Sequence, residues 1–182
     1  AREYTYKVVK SEIESDGDVE LKTTEEVASF AATKTTVVKG NLIIGSDAEE
    51  AEKITDISAL ASLKEVTGNI VIRNSYNGAD LTGLENIVSA GGLQVGSADV
   101  ASKATELHMI SMKALETLSG DISVYNDQVT YVLFEKLATI GGSVMFNASS
   151  LQSFEFPVLT TVGQDLNLQG LNEENTAAGS IA

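Results

Sequence analysis

The sequence predicts a mainly β, right-handed, single-domain β-solenoid of about six coils, headed by an N-terminal hairpin and a short capping helix. A glycine-strand motif returns six times, an apolar triplet keeps step with it, and a helix-start signature precedes the first copy. The motif Gly-x-apolar-x-apolar reads Gly40-Asn41-Leu42-Ile43-Ile44, Gly68-Asn69-Ile70-Val71-Ile72, Gly91-Gly92-Leu93-Gln94-Val95, Gly120-Asp121-Ile122-Ser123-Val124 and Gly142-Ser143-Val144-Met145-Phe146. A sixth copy carries Gln164 in the glycine slot before Asp165-Leu166-Asn167-Leu168. First apolar residues fall at 42, 70, 93, 122, 144 and 166, so the period is 22 to 29 residues, which is the range of coiled repeats.

Each strand should be three residues of alternating direction, with the two apolar side chains inward and the middle one outward. The glycine before it suits a corner where φ is positive or backbones approach closely. Asn74, Asn126 and Asn147, just after strands, tolerate similar corners. Upstream of five strands stand Leu60/Leu63/Val66, Leu81/Leu84/Ile87, Met112/Leu115/Leu118, Phe134/Leu137/Ile140 and Phe156/Leu159/Val162. In four of the five the last residue precedes the strand's first apolar residue by four positions; at Ile87, Val88 and Ala90 point to an added residue or two. Each coil is thus expected to hold an apolar turn, a glycine corner and one short strand. A single coil cannot bury its inward side chains, so coils must stack. At roughly 4.8 Å per strand, six make a body on the order of 24 Å between first and last strand.

Residues 1–37 are built differently. Tyr4-Thr5-Tyr6-Lys7-Val8-Val9 alternates as a strand, Ser15-Asp16-Gly17-Asp18 offers a turn, and Val19-Glu20-Leu21 reads as the returning strand of a hairpin. Thr23 with Glu26 three residues on forms a capping box, and Val27, Phe30 and Ala31 share one face of the helix that follows. Such a helix would cover the first coil. The solenoid spans 38–170. Residues 171–182 are polar and small, without a further apolar triplet, so that end should pack against another domain or a second copy, or continue in a longer chain.

Composition narrows function. The 43% hydrophobic content suffices for one core, and no stretch reaches the roughly 18 apolar residues that span a bilayer. A net charge of −14 would repel both nucleic acid and anionic membrane. With no cysteine, disulfides and thiolate metal sites are excluded. Ala1-Arg2-Glu3-Tyr4 shows no signal peptide, so an exported protein would be present here as its mature part or as an excerpt.

The pattern apolar-x-x-Leu-x-x-apolar-x-Gly-x-apolar-x-apolar, together with the stretch Leu21 to Phe30 and Val38-Lys39-Gly40-Asn41-Leu42, resembles the receptor L-domain family of leucine-rich-repeat-like β-solenoids over roughly residues 19 to 170. The resemblance implies the architecture of the ligand-binding lobes of insulin and epidermal growth factor receptors. It is similar, too, to domains on surface proteins of gut bacteria and on fungal wall proteins. Animal receptors flank the domain with cysteine-rich modules, so the lack of cysteine points to the bacterial surface branch. An extracellular or cell-surface place follows, with signal or anchor segment outside this chain.

Binding belongs to the outward ladder. Its middle positions are Ile43, Val71, Gln94, Ser123, Met145 and Asn167, flanked by Gly45, Arg73, Gly96, Tyr125, Asn147 and Gln169. Apolar Ile43, Val71 and Met145 stand where water is expected, and Arg73 and Tyr125 are residues that anchor interfaces. The expected role is a non-enzymatic recognition or adhesion module for a protein or glycan; a structural spacer is the alternative. Insertions after two strands, Ser46 to Lys53 and Ser97 to Ala104, would project beside the ladder as solvated helical turns. Neither these nor Glu14-Ser15-Asp16-Gly17-Asp18 has the spacing of a calcium loop, so neither metal nor other cofactor is expected. A polysaccharide-active β-helix enzyme is the remaining reading. It would need paired carboxylates, and Asp121 and Asp165, two coils and roughly 9–10 Å apart, occupy the slot that Asn41, Asn69 and Ser143 fill elsewhere. His108 is the lone histidine, with no Ser or Asp partner implied.

Overall fold

The computed structural model describes residues 11–101, 105–169 and, as a backbone strand, 178–181. In chain order come β1 (Val19–Leu21), α1 (Thr24–Ala32), β2 (Val37–Val38), β3 (Leu42–Ile44), β4 (Glu65–Ile72) and β5 (Ser89–Val95). There follow β6 (Met109–Ser111), β7 (Thr117–Leu118), β8 (Ile122–Tyr125), β9 (Tyr131–Leu133) and β10 (Thr139–Ile140). The last are β11 (Val144–Asn147), β12 (Ser153–Phe156), β13 (Thr161–Val162), β14 (Leu166–Gln169) and β15 (Ala178–Ile181).

Every named strand pairs in parallel with the coil above or below it, as a solenoid requires. The glycine-motif strands stack as β1-β3-β4-β5-β8-β11-β14. A second ladder runs through β2, the first halves of β4 and β5, β7, β10 and β13. These two ladders form one sheet, and a third ladder, a separate four-stranded sheet, joins β6, β9, β12 and β15. Later coils therefore carry three strands rather than one. The triplet's last member lies in a strand, as Val66, Leu118, Ile140 and Val162 do. In the irregular coil Ala90 takes that register, opposite Val66 and Leu118, while Ile87 stays fully buried beside it.

The inward columns form one core. Leu42, Ile70, Ile122, Val124, Phe134, Phe146 and Phe156 are each 0% exposed. Phe134 stacks on Phe156 at 5.5 Å, and Phe146 meets Phe154 edge-on at 5.7 Å. Nothing but another coil could bury these rings, so the stack supplies the hydrophobic stabilisation that a single coil lacks.

The corner explains the glycines. The corner residue of each of several coils accepts the backbone N–H of the coil above: Asp18 Oδ1 from Asn41 at 2.7 Å, Asn41 Oδ1 from Asn69 at 2.8 Å, Asp121 Oδ1 from Ser143 at 2.7 Å and Ser143 Oγ from Asp165 at 3.3 Å. A Cβ at Gly142 would sit 2.0 Å from Asp121 Oδ1. Glycine is needed there for close approach, and φ is not positive at Gly40, Gly68, Gly91, Gly120 or Gly142. By contrast Gly96, after its strand, has φ of 69° and would place a Cβ 2.1 Å from the carbonyl oxygen of Tyr125.

At the start, the expected first arm of the hairpin, residues 4–9, lies outside the described residues. Its second arm, Val19–Leu21, pairs in parallel with β3, and Glu14 bridges to Val37, so residues 14–21 follow the path of a coil. Gly17-Asp18-Val19-Glu20-Leu21 is a further copy of the glycine motif. The capping box on α1 is present, with Thr23 Oγ1 accepting from the Glu26 N–H and Glu26 from the Thr23 N–H. Val27 and Ala31 of α1 are buried in the core, and Phe30 packs against it. Among the described residues, no helix is long and apolar enough to cross a membrane.

Candidate functional site: the outward face of the glycine-strand ladder

Strand register alone places the middle side chains in a line. Ile43 pairs with Val71, Val71 with Gln94, Gln94 with Ser123, Ser123 with Met145 and Met145 with Asn167. Two residues on, Tyr125 pairs with Asn147 and Asn147 with Gln169. Arg73 extends its strand by donating its N–H to the carbonyl of Ile44 at 2.8 Å. All nine of the residues singled out from the sequence thus share one sheet face, each half-buried. Glu20, opposite Ile43, heads the same column, and Lys22 flanks it. The reading of Val19–Leu21 as a hairpin arm passed over them, although the glycine motif at Gly17 carries the signal.

The face divides into patches. Ile43 and Val71 are adjacent aliphatics, bordered by ion pairs. Arg73 Nη1 lies 2.6 Å from Asp47 Oδ2, and the other carboxylate oxygen of Asp47 accepts the Asn74 N–H at 3.1 Å. Lys22 pairs with Glu20, which raises the lysine's pKa. A hollow of about 170 Å³ lies among Glu20, Lys22, Ile43, Asp47 and Arg73. The polar pair Gln94 and Ser123 follows, with Gln94 Nε2 donating to the Gly96 carbonyl at 2.9 Å. Beyond it the Tyr125 hydroxyl reaches Met145 Sδ, and a second hollow of about 160 Å³ opens between Tyr125, Asn147 and Val100.

The first inserted loop is strapped down rather than helical. It forms turns and bends, Asp47 ties it to Arg73 and Asn74, and Glu52 Oε1 accepts the Thr24 N–H at 2.9 Å, capping α1. That bond holds the Glu52 carboxyl below its ordinary pKa. In the second loop Ser97 bridges to Val100, and residues 102–104 lie outside the described residues.

Other candidates are accounted for by structure. Asp121 and Asp165 sit in the corner column, Asp121 as an acceptor and Asp165 through its own N–H. Asn74 and Asn126 are buried: Asn74 Nδ2 donates to the Ala101 carbonyl at 3.2 Å, and Asn126 Oδ1 accepts the Gln128 N–H at 2.8 Å. His108 is exposed, its Nδ1 3.1 Å from the Gln128 carbonyl. Among the described residues no group of three His, Asp or Glu side chains is placed to hold a metal ion. A larger groove, about 450 Å³, runs over the second ladder past Glu65, Ser89, Thr117 and Thr139, away from the predicted face.

Residues 34–106 match the model of the Receptor L domain family, whose members are ligand-binding, non-enzymatic modules of receptor extracellular regions. The match covers the coils that carry Ile43, Val71, Arg73 and Gln94, and the same coil pattern continues beyond it to β14. No curated protein and no solved structure matches the chain.

Proposed function

We propose, from the match of residues 34–106 to the Receptor L domain model, that this chain is a non-enzymatic recognition module of an exported, cell-surface protein, and that it binds a protein or glycan through the outward face of its glycine-strand ladder. The observation that carries this reading is the unbroken register from Ile43 to Asn167, which gathers aliphatic, amide, hydroxyl, arginine and tyrosine groups on one half-exposed surface. A contact surface needs this mixture. Apolar Ile43, Val71 and Met145 supply desolvation, while Arg73 and Tyr125 supply the anchors that dominate interface energies. Arg73 is held by Asp47 and Tyr125 lies against Met145, so both lose little freedom on binding.

The test is a screen of the purified chain against host glycans and matrix proteins, followed by the double variant Arg73→Ala, Tyr125→Ala. Loss of at least about tenfold in affinity for any identified ligand, roughly 1.4 kcal/mol, is expected. An unchanged affinity in the double variant would remove the ladder from consideration.

A further inference from the structure

The separate four-stranded sheet ends at β6, and that edge is only half used. Met109 donates its N–H to the Ala79 carbonyl at 3.2 Å, so Met109 and, two residues on, Ser111 turn their main-chain groups toward the preceding coil. The Met109 carbonyl and the Ser111 N–H find no backbone partner there among the described residues, and the two coils next meet where the Ala114 N–H reaches the Glu85 carbonyl at 3.1 Å. Later coils have no such break: Ser111 pairs with Leu133, and Leu133 with Glu155.

The preceding coil spends its own groups locally. The Tyr76 hydroxyl donates to the Asp80 carbonyl, Asp80 Oδ1 accepts the Thr82 N–H at 2.8 Å, and Glu85 Oε2 accepts the Gly83 N–H. Residues 80–85 thereby turn aside from β6 instead of laddering with it, and a hollow of about 300 Å³ opens between them. Asp80, Thr82 and Glu85 line it on one side and Met109, Ser111 and Lys113 on the other, and every residue of the lining is a described one.

We propose that this hollow receives an extended, basic peptide segment of a partner protein, added as a short strand along the edge of β6. Main-chain groups in strand register, left open beside a space, are met by the main chain of another strand, which is how sheet edges capture peptides. Met109, 36% exposed at that edge, adds apolar contact. Charge selects the side chain. Asp80 and Glu85 each commit one carboxylate oxygen to their own turn and keep the other, and against these two stands the single ammonium of Lys113, in a chain of net charge −14. The lining carries no aromatic ring on which a sugar could stack. This site lies on the third ladder and stands whether or not the glycine-strand face binds.

The probes are labelled, N-acetylated heptapeptides of alternating threonine and valine with a central lysine or a central glutamate. Affinity is read by fluorescence anisotropy and location by NMR of the isotope-labelled chain. The lysine peptide is expected to saturate below about 1 mM and to move the Ser111 amide resonance, with the glutamate peptide at least about tenfold weaker. Methylating the backbone nitrogens of the lysine peptide should abolish binding. Asp80→Asn with Glu85→Gln keeps the acceptors of the turn and should erase the preference for lysine. Ser111→Pro deletes the open N–H at an edge position, where proline is tolerated, and should weaken binding by about tenfold or more. A lysine peptide that fails to bind up to about 1 mM overturns the proposal, as does equal binding of the methylated or the glutamate peptide. Maltohexaose that binds and moves the same Ser111 resonance would overturn the peptide assignment. The peptide comparisons leave the protein unaltered, so they decide the matter even where Ser111→Pro fails to fold.

Discussion

Alanine at Gly142 should destabilise the protein by about 2 kcal/mol, and the structure says where that cost arises. The new Cβ would lie 2.0 Å from Asp121 Oδ1, 2.8 Å from the carbonyl carbon of Gly120 and 3.0 Å from Asp121 Cγ. The carboxylate can swing aside, but it then surrenders the Ser143 N–H it accepts at 2.7 Å, a charged hydrogen bond worth about 1.5 kcal/mol or more. The Gly120 carbonyl carbon is backbone and moves only with its coil, a strain of about 1–3 kcal/mol. Against this, alanine restricts the unfolded chain and returns about 0.4–1 kcal/mol. For a chain of this length a net 2 kcal/mol lowers Tm by about 4–8 °C. Gly120 is the internal control: its added Cβ meets only the Gly91 carbonyl oxygen at 2.9 Å and the carbon at 3.7 Å, so Gly120→Ala should cost about half as much or less. Thermal melts followed by circular dichroism compare the two. In the double variant Asp121→Ala, Gly142→Ala the loss should be smaller than the sum of the singles, because one clash partner is gone. A Gly142→Ala protein that melts with or above the wild type, or a Gly120→Ala protein that falls as far, would refute the close-approach account of the glycine column.

Two further outcomes follow from the packing and the caps. Phe146→Ala removes a fully buried ring that touches both Phe154 and Phe156, and should cost about 3–5 kcal/mol, read as a fall in the urea midpoint; a loss below about 1 kcal/mol would mean that the ring stack contributes little. Glu52 is held below its ordinary pKa of 4.5 by the Thr24 N–H, so its contribution is present above pH 4.5 and lost as the pH falls through the lower, folded value. Wild type and Glu52→Ala should therefore differ in midpoint at neutral pH and converge in acid below that value; a gap that persists there would show that the carboxylate does not cap α1.

The glycine-strand ladder was legible because two independent requirements coincide in its motif. Glycine marks the close approach of coils, and the alternation Leu42/Ile44 or Val144/Phe146 marks which side chains enter the core. Gly17-Asp18-Val19-Glu20-Leu21 satisfies the same pattern yet reads as a hairpin turn, since Asp and Gly serve both corners and hairpins and only the partner differs. That partner, Leu42, lies 23 residues away, beyond what local chemistry can indicate. The third ladder was hidden for a different reason. Its inward residues Ile110, Val132 and Phe154 stand two positions before the triplets' Met112, Phe134 and Phe156, so the alternation is there, but in early coils it shrinks to the single bridge between Ile54 and Tyr76. The candidate face came from register, which the period alone determines. Which residues brace it did not, because Asp47 reaches Arg73 across a coil from inside an inserted loop.

Corner and face carry separate constraints, and that separation suits a recognition module. Gly142 has the clashes described above, and Asp121, Ser143 and Asn41 each hold the next coil through a backbone N–H. Change there acts on stacking, and through stacking on every coil beyond it. The outward residues have no such duty. Ile43, Val71, Gln94, Ser123 and Met145 are held in line by backbone pairing, whatever their side chains are. A single scaffold can therefore vary its contact chemistry, from the aliphatic pair at Ile43 and Val71 to the amide and hydroxyl at Gln94 and Ser123, without altering the coil that presents it. Three outward side chains do have ties: Gln94 donates to the Gly96 carbonyl of its own coil, and Arg73 and Tyr125 are tied to Asp47 and Met145. Nothing in the ladder's pairing needs the last two ties; the Arg73–Asp47 pair also straps the inserted loop, so on the proposed function it is Tyr125 at which substitution should weaken a ligand more than it weakens the fold.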